Sequence, residues 1–274
     1  MPRELPQAGK IRLRKGKMNL IADTHTHTTA STHAYSTLQE NVHAAAEKGL
    51  YALAVTDHGA LMPGAPGRWY FENLRVVPRH LEGVLVLRGE ETDLIDAEGH
   101  TDLIPTDLDT LDWVVASIHR QVFNRYAVDG RRFQPIASPK PATREEVTQA
   151  WLAIARNPHV NVIGHSGTAD YPYDYETVIP EFGRNGKLVE LNESTFSGRK
   201  TSVPNCRTIM ELCKKHGVQI IVNSDAHFST LIGCFPNSLK LLQEIDFPEE
   251  LVVNSSAERF ETYLRDHTRV FRDE

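Results

Sequence analysis

Short apolar runs alternate along this chain with polar turns and amphipathic stretches. Seven runs read as strands: residues 18–23, 51–56, 84–87 extending to 91, 113–118, 160–164, 188–192 and 218–223. They are brief, rich in β-branched residues and apolar almost without interruption, as expected of parallel strands buried on both faces. Helical patterns lie between them. Residues 38–48 follow a Ser36-Thr37 cap and end at Gly49. Residues 144–156 follow Thr143, with Glu146 completing a capping box. Residues 203–216 carry Pro204 in the first turn and end at Gly217, and 256–267 read as a closing helix. Alternating strand and helix predict an α/β protein with a parallel sheet. There is no fixed-period repeat and no G-x-G-x-x-G turn. A TIM-barrel-like closure of about seven βα units is preferred to an open, doubly wound sheet.

Composition narrows the class. The chain has 274 residues, 40% hydrophobic and 24% charged, which suits a globular protein with a sizeable core. Its formal net charge of −6 argues against broad nucleic-acid binding. No apolar run is long enough to cross a membrane. Residues 1–17 are basic and lack an apolar run, so they read as an extension preceding one domain at 18–274, not as a secretory signal. The three cysteines, Cys206, Cys213 and Cys234, form no C-x-x-C pair, which fits a reducing, cytoplasmic setting. Cys206 and Cys213 share a helix face and belong to the core.

The unusual count is that of histidine, 13 residues, several beside Asp or Glu. Nearly every strand ends in a potential metal ligand. The ends read Asp23-Thr24-His25-Thr26-His27, Thr56-Asp57-His58, Arg88-Gly89-Glu90-Glu91, Ser117-Ile118-His119, Ile163-Gly164-His165, Glu190-Leu191-Asn192-Glu193 and Ser224-Asp225-Ala226-His227. In α/β barrels this end of the strands carries the active site. His25 and His27, two apart on a strand, point to one face, as do Asp225 and His227. His33 lies in the loop after the first strand. His43, His80, His100, His159, His216 and His267 fall in helices, turns or strand starts and read as ordinary surface or packing residues.

These motifs, together with Ser31-Thr32-His33-Ala34-Tyr35-Ser36 and His165-Ser166-Gly167, resemble the polymerase and histidinol phosphatase (PHP) family, in particular its YcdX-like phosphatases. The resemblance runs from about Leu20 to Asn254. It implies a distorted seven-stranded (β/α)7 barrel with a trinuclear site, often zinc, in a compact homo-oligomer such as a trimer. Carried over by motif, one ion takes His25, His27, Glu91 and Asp225. A second takes His33, His58 and His227, and a third takes His119 and His165 with Glu91 bridging. Glu91 is chosen over Glu90 by the family's Gly-x-Glu pattern. Residues 120–141 look longer than the family pattern after strand four and place Arg120, Arg125, Arg131, Arg132 and Lys140 beside the mouth. A solvated loop is the default reading there, with a lid or a subunit contact as alternatives.

Imidazole and carboxylate ligands suit three divalent ions, zinc first and manganese or iron as alternatives, and the lack of thiolates argues against a purely structural zinc. Three such ions bring about +6 of charge while Glu91 and Asp225 return −2. The anionic guest expected is a small phosphate ester, hydrolysed by a metal-activated bridging hydroxide. Arg199, Lys200 and Arg68, the last in a loop, are the candidate phosphate clamps. Asp23 and Asp57 are expected to orient imidazoles. Three competing readings are weighed. An amidohydrolase-type C–N hydrolase would need a strand-end lysine that is lacking here. A non-catalytic, metal-stabilised regulatory module would not need so complete a ligand set. A nuclease acting on 3′ ends fits poorly with the acidic charge and with the lack of a basic, aromatic groove.

Overall fold

The computed structural model describes residues 18–103, 107–130 and 132–271, so the basic extension and Arg131 lie outside the described residues. Seven parallel strands form the frame: β1 (Ala22–Asp23), β2 (Ala52–Val55), β3 (Val84–Asp93), β4 (Trp113–Ser117), β5 (Val162–Ile163), β6 (Leu188–Asn192) and β7 (Ile220–Asn223). Each pairs with its sequence neighbour in order, with registers such as Ala54 to Leu87, Glu91 to Val115 and Val162 to Leu188. The sheet closes on itself through a parallel bridge between Thr26 and Ala226, where the His27 amide donates to the Ala226 carbonyl at 2.9 Å. The Asn223 side chain reinforces the seam by accepting from the Thr24 amide and hydroxyl. This is the expected distorted (β/α)7 barrel. Its strands are uneven: β1 and β5 hold two ladder residues each where longer strands were expected.

All seven expected strands occur, and β3 runs two residues past its expected end, to Asp93. The expected helices occur as α1 (Leu38–Glu47), α2 (Arg144–Ala155), α4 (Val203–His216) and α6 (Ala257–His267). Thr37 and Thr143 both complete capping boxes, with Glu40 and Glu146. Gly217 takes φ of +67° at the end of α4, a backbone state that glycine enters without strain. Two further helices, α3 (Tyr175–Arg184) and α5 (Pro236–Glu244), carry Pro180 inside and Pro236 at the start. Pro180 interrupts the helical pattern of α3, whereas Pro236 stands in the first turn of α5, where proline is compatible with a helix.

Two expectations need correction. Residues 120–141 are not a plain loop, because Tyr126–Asp129 pairs antiparallel with Arg132–Pro135. Tyr126, Val128 and Phe133 of this hairpin pack against a satellite cluster of Met62, Ile95 and Val122. Arg68 does not sit in a loop but opens a short helix, Arg68–Asn73, behind Gly67.

Strand alternation sorts the barrel into layers. Ala22, Ala52, Ala54, Leu85, Leu87, Trp113, Val115, Val162, Leu188 and Ile221 share one apolar cluster with Phe260, Tyr263 and Leu264 of α6. Helix α6 therefore plugs the floor of the barrel, and the next residues of the same parity reach the mouth. On β3 these are Gly89, Glu91 and Asp93; on β4 and beyond, Ser117 and His119; on β6, Glu190 and Asn192. Gly89 marks the waist. A Cβ there would lie 2.7 Å from both the Thr56 methyl and the Trp113 carbonyl oxygen, and 3.0 Å from the Val55 carbonyl oxygen. Gly89→Ala should therefore force neighbouring backbone apart and cost about 1–3 kcal/mol. A denaturant midpoint equal to that of the parent protein would refute this account of the waist.

Candidate metal centre

The mouth is organised around the Glu91 carboxylate, which is fully buried. Its Oε1 lies 3.2 Å from His25 Nε2, 3.1 Å from His165 Nε2 and 3.7 Å from His119 Nε2. Its Oε2 lies 2.7 Å from His58 Nδ1 and 3.6 Å from His27 Nε2. Asp225 faces it across the barrel, with Oδ1 3.2 Å from His27 Nε2 and 3.8 Å from His25 Nε2. Beyond His27 the rings of His58 and His33 stack in sequence, and that of His227 lies tilted against His33. Centroids are 4.4 Å apart for His27–His58, 4.9 Å for His33–His58 and 4.8 Å for His33–His227. His33 Nε2 and His58 Nε2 are 3.0 Å apart. All nine sequence candidates thus meet in one mouth.

The donors fit a metal better than they fit one another. His25 Nε2, both nitrogens of His27, His58 Nδ1 and Glu91 Oε2 are buried and lack hydrogen-bond partners of acceptable geometry. His58 Nδ1 approaches Glu91 Oε2 to 2.7 Å yet is misaligned for a hydrogen bond. Unmet buried polar atoms are rare and costly. Two ligands on one tetrahedral ion with bonds of about 2.0–2.1 Å stand about 3.3 Å apart, close to most separations here. Three triads each bring one ligand atom per residue within 4.8 Å: His25–His27–Glu91, His27–His58–His227 and His58–Glu91–His119. A fourth triad, Asp96–Glu98–His100, lies apart from the mouth in partly and fully exposed positions.

Electrostatics sets most ligands in the state an ion requires. Burial, with the neighbouring His58, holds His27 well below the ordinary histidine pKa. Burial lowers His119 and His165 to about 4, aided at His165 by the Arg199 charge. Burial favours the protonated form of Glu91, but His25, His119 and His58 hold its pKa well below the usual carboxylate value. Burial likewise opposes charge on His25, yet Glu190, Glu91 and Asp225 hold its pKa well above 6.5. His58 is raised against its burial by Glu91. A cation bound by these candidate ligands would have to displace protons from His25 and His58.

Two carboxylates orient the imidazoles, and neither is one that the sequence singled out for this task. Glu190 Oε1 lies 2.7 Å from His25 Nδ1, while its Oε2 accepts from the His165 amide at 2.8 Å. Asp93 Oδ1 lies 2.8 Å from His119 Nδ1. Both residues have the lumen parity of their strands, which is the signal that could have found them. Asp23 and Asp57, expected in this role, instead fasten backbone amides and loop hydroxyls. Asp23 accepts from the Ser224 and Gly233 amides. Asp57 accepts from the Thr28 amide and hydroxyl, the Ser31 hydroxyl and the Tyr70 hydroxyl. Two candidate ligands also sit at positive φ, His165 at +22° and Asp225 at +55°, a strain that recurs where function fixes the backbone.

Of the basic candidates, Arg199 enters the site. Its guanidinium donates to Asp225 Oδ2 at 2.9 Å and to Asn192 Oδ1 at 3.1 Å, and its Nε is buried without a partner. Arg68 forms an ion pair with Glu72 one turn along its helix, and Lys200 is exposed.

The chain matches the model of the PHP domain over residues 23–194, more than half of its length, and it belongs to that family. A probable phosphatase of Acetivibrio thermocellus is 42% identical over 248 residues, covering 90% of this chain and 96% of the relative. A probable phosphatase of Clostridium novyi is 42% identical over 249 residues, with the same coverage. The chain is thus a phosphatase-type enzyme, as the family resemblance and the surplus positive charge of the expected site implied. Among solved structures it resembles the histidinol phosphate phosphatase of Lactococcus lactis, crystallised with zinc, L-histidinol and phosphate. That likeness has a TM-score of 0.56 at 18% identity, over 83% of this chain and 94% of the other, and it shows the fold.

Removing an orienting carboxylate should loosen the metal without unfolding the barrel. Glu190→Gln and Asp93→Asn should each lower affinity for a divalent ion about 10–100-fold. Chelator competition, with thermal unfolding as a control, measures this, and unchanged affinity in both variants would remove the orienting role.

Proposed function

We propose that this protein is a metal-dependent phosphoesterase that hydrolyses a small phosphate ester at a centre of three divalent ions. The supporting observation is the convergence of seven imidazoles and two carboxylates on one mouth, with buried donor atoms left unsatisfied by the protein itself. His25, His27, Glu91 and Asp225 would hold one ion, His33, His58 and His227 a second, and His119 with His165 and Glu91 a third. The nitrogen and oxygen donors favour zinc, with manganese or iron(II) as alternatives. Zinc and phosphate in the Lactococcus lactis structure support the same choice of metal and guest. Bound there, the ions supply an ionised water as nucleophile and positive charge for the phosphoryl oxygens. The phosphate ester is small because the ligands lie in a barrel lumen rather than on an open face.

The remaining roles fall to the chain. Glu190 and Asp93 hold His25 and His119 by their Nδ1 atoms and leave each Nε2 turned toward Glu91. Arg199 would bind phosphate oxygens through the face of its guanidinium that Asp225 and Asn192 leave open. The Asp225 contact holds that fork in place. Among the described residues no helix is long and apolar enough to cross a membrane.

Protein dialysed against chelator should lose turnover of phosphate monoesters and regain it with zinc, manganese or iron(II). Amides and lactones should not be cleaved. Full phosphatase activity in verified metal-free protein would sink this reading. Arg199→Ala should reduce kcat/KM about 10²-fold, with Arg199→Lys recovering part of the loss. Metal affinity should fall as pH drops through the raised values of His25 and His58, since protons then compete for ligand nitrogens. Affinity independent of pH from 8 to 5, checked by metal-buffered titration over about that range, would contradict the assignment of these two ligands.

A further inference from the structure

Two turns leave the barrel mouth on the side of His119 and His165. One begins at His119, whose carbonyl accepts from the amides of Val122 and Phe123 at 3.0 Å each. The other begins at His165, whose carbonyl accepts from the Thr168 amide and hydroxyl, and the Thr168 carbonyl in turn accepts from the Tyr171 amide. The turns meet through the rings of Phe123 and Tyr171, edge to face with centroids 5.7 Å apart. Each turn is therefore fixed both to a candidate ligand and to the other turn.

The first turn carries Arg120 and Arg125, both exposed, with Arg125 Nε donating to the Arg120 carbonyl at 3.1 Å. Neither guanidinium has a carboxylate partner among the described residues. Both charges act on the Tyr171 hydroxyl: burial raises its pKa, Arg125 and Arg120 oppose the rise, and Asp170 and Asp93 add to it. Asp93 also holds His119, the candidate ligand from which the turn bearing this cationic pair departs. Asp170, exposed on the second turn, leaves two guanidiniums set against one carboxylate. The hairpin that follows is anchored by its own apolar contacts, so the fold does not require these arginines.

We propose that Arg120, Arg125 and Tyr171 form a second anion subsite, which takes a carboxylate or second phosphate at the end of the substrate remote from the scissile ester. The inference rests on the phosphoesterase reading, since it places the scissile phosphate at the ion cluster beside Arg199. It names the substrate class as phosphate monoesters with two anionic ends. The guanidinium fork and the Tyr171 hydroxyl supply directed donors for an oxyanion, and the position beside His119 and His165 sets the reach.

Two matched pairs of substrates test it: 3-phosphoglycerate with glycerol 3-phosphate, and 6-phosphogluconate with glucitol 6-phosphate. Within each pair one carboxylate replaces a hydroxymethyl group, and the two pairs sample a short and a long reach. Full-length, metal-reloaded protein should favour the acid of at least one pair by about tenfold in kcat/KM, expressed in KM. The Arg120→Gln, Arg125→Gln double variant should bring that ratio close to one, while Arg125→Lys should keep part of it. A ratio near one in the parent protein, or an unchanged ratio in the double variant, overturns the subsite. Calorimetric binding of the same four compounds reads the preference without turnover. Loss of turnover on all four alone overturns the hydrolytic reading, whereas equal affinity within both pairs overturns the subsite.

Discussion

A carboxylate buried on the axis of a barrel must be met by positive charge. Glu91 has no solvent exposure, and five imidazoles approach its two oxygens to between 2.7 and 3.7 Å. An ionised carboxylate out of water costs several kcal/mol unless it is paired and hydrogen-bonded. The fold answers by bringing five histidines from four segments to it. His58 is set opposite Glu91 by a parallel bridge, and the Glu91 amide donates to the Asp57 carbonyl at 3.0 Å. His25 and His165 are both held by the single carboxylate of Glu190. Protons on His25 and His58 supply part of the balancing charge, and divalent ions would supply more of it without those protons.

The same axis explains the layering. A parallel barrel places residues two apart on a strand at successive heights in the lumen. Leu85 and Leu87 are apolar and pack on α6, Gly89 leaves room for the neighbouring strands, and Glu91 and Asp93 are the polar top of the same column. Trp113, whose indole donates to the Thr24 carbonyl at 3.1 Å, ties the apolar floor to the segment that carries His25. The polar centre therefore stands on a packed, rigid base, which is what holding ligand atoms to a few tenths of an ångström requires.

Much of this was legible in the sequence because two periodicities coincide. Strand ends appear as the last β-branched residue of an apolar run, and the residues just beyond them face the mouth. That located His25, His27, His58, His119, His165, Asp225 and His227. The choice of Glu91 rested on a family pattern, and the parity of Leu85 and Leu87 leads independently to the same residue. Parity also leads to Asp93 and Glu190, but an acidic residue near a strand end looks the same whether it orients an imidazole or fastens a loop. Hence Asp23 and Asp57 drew the orienting role, though their partners are amides and hydroxyls. The hairpin at 126–135 was illegible for another reason: its strands are exposed on one face and pack on a satellite cluster, so they lack the apolar runs of the barrel strands.

The bond pattern of Asp57 divides the labour between frame and loops. One carboxylate gathers Thr28 and Ser31 from the loop after β1 and Tyr70 from the helix at 68–73, directly beside His58 in the chain. The Ser31 hydroxyl, which donates to Asp57, also accepts from the His58 amide at 3.2 Å. The loop bearing His33 is thereby held in register with the strand end bearing His58. Their Nε2 atoms come to 3.0 Å, a spacing that suits either a shared proton or a shared ion. The strand ladder fixes Glu91 and a parallel bridge sets His58 opposite it, whereas this hub ties the loop bearing His33 to His58. The His33 loop can thus keep its place beside His58 without a strand ladder of its own, because side-chain bonds to Asp57 fasten it back to the frame.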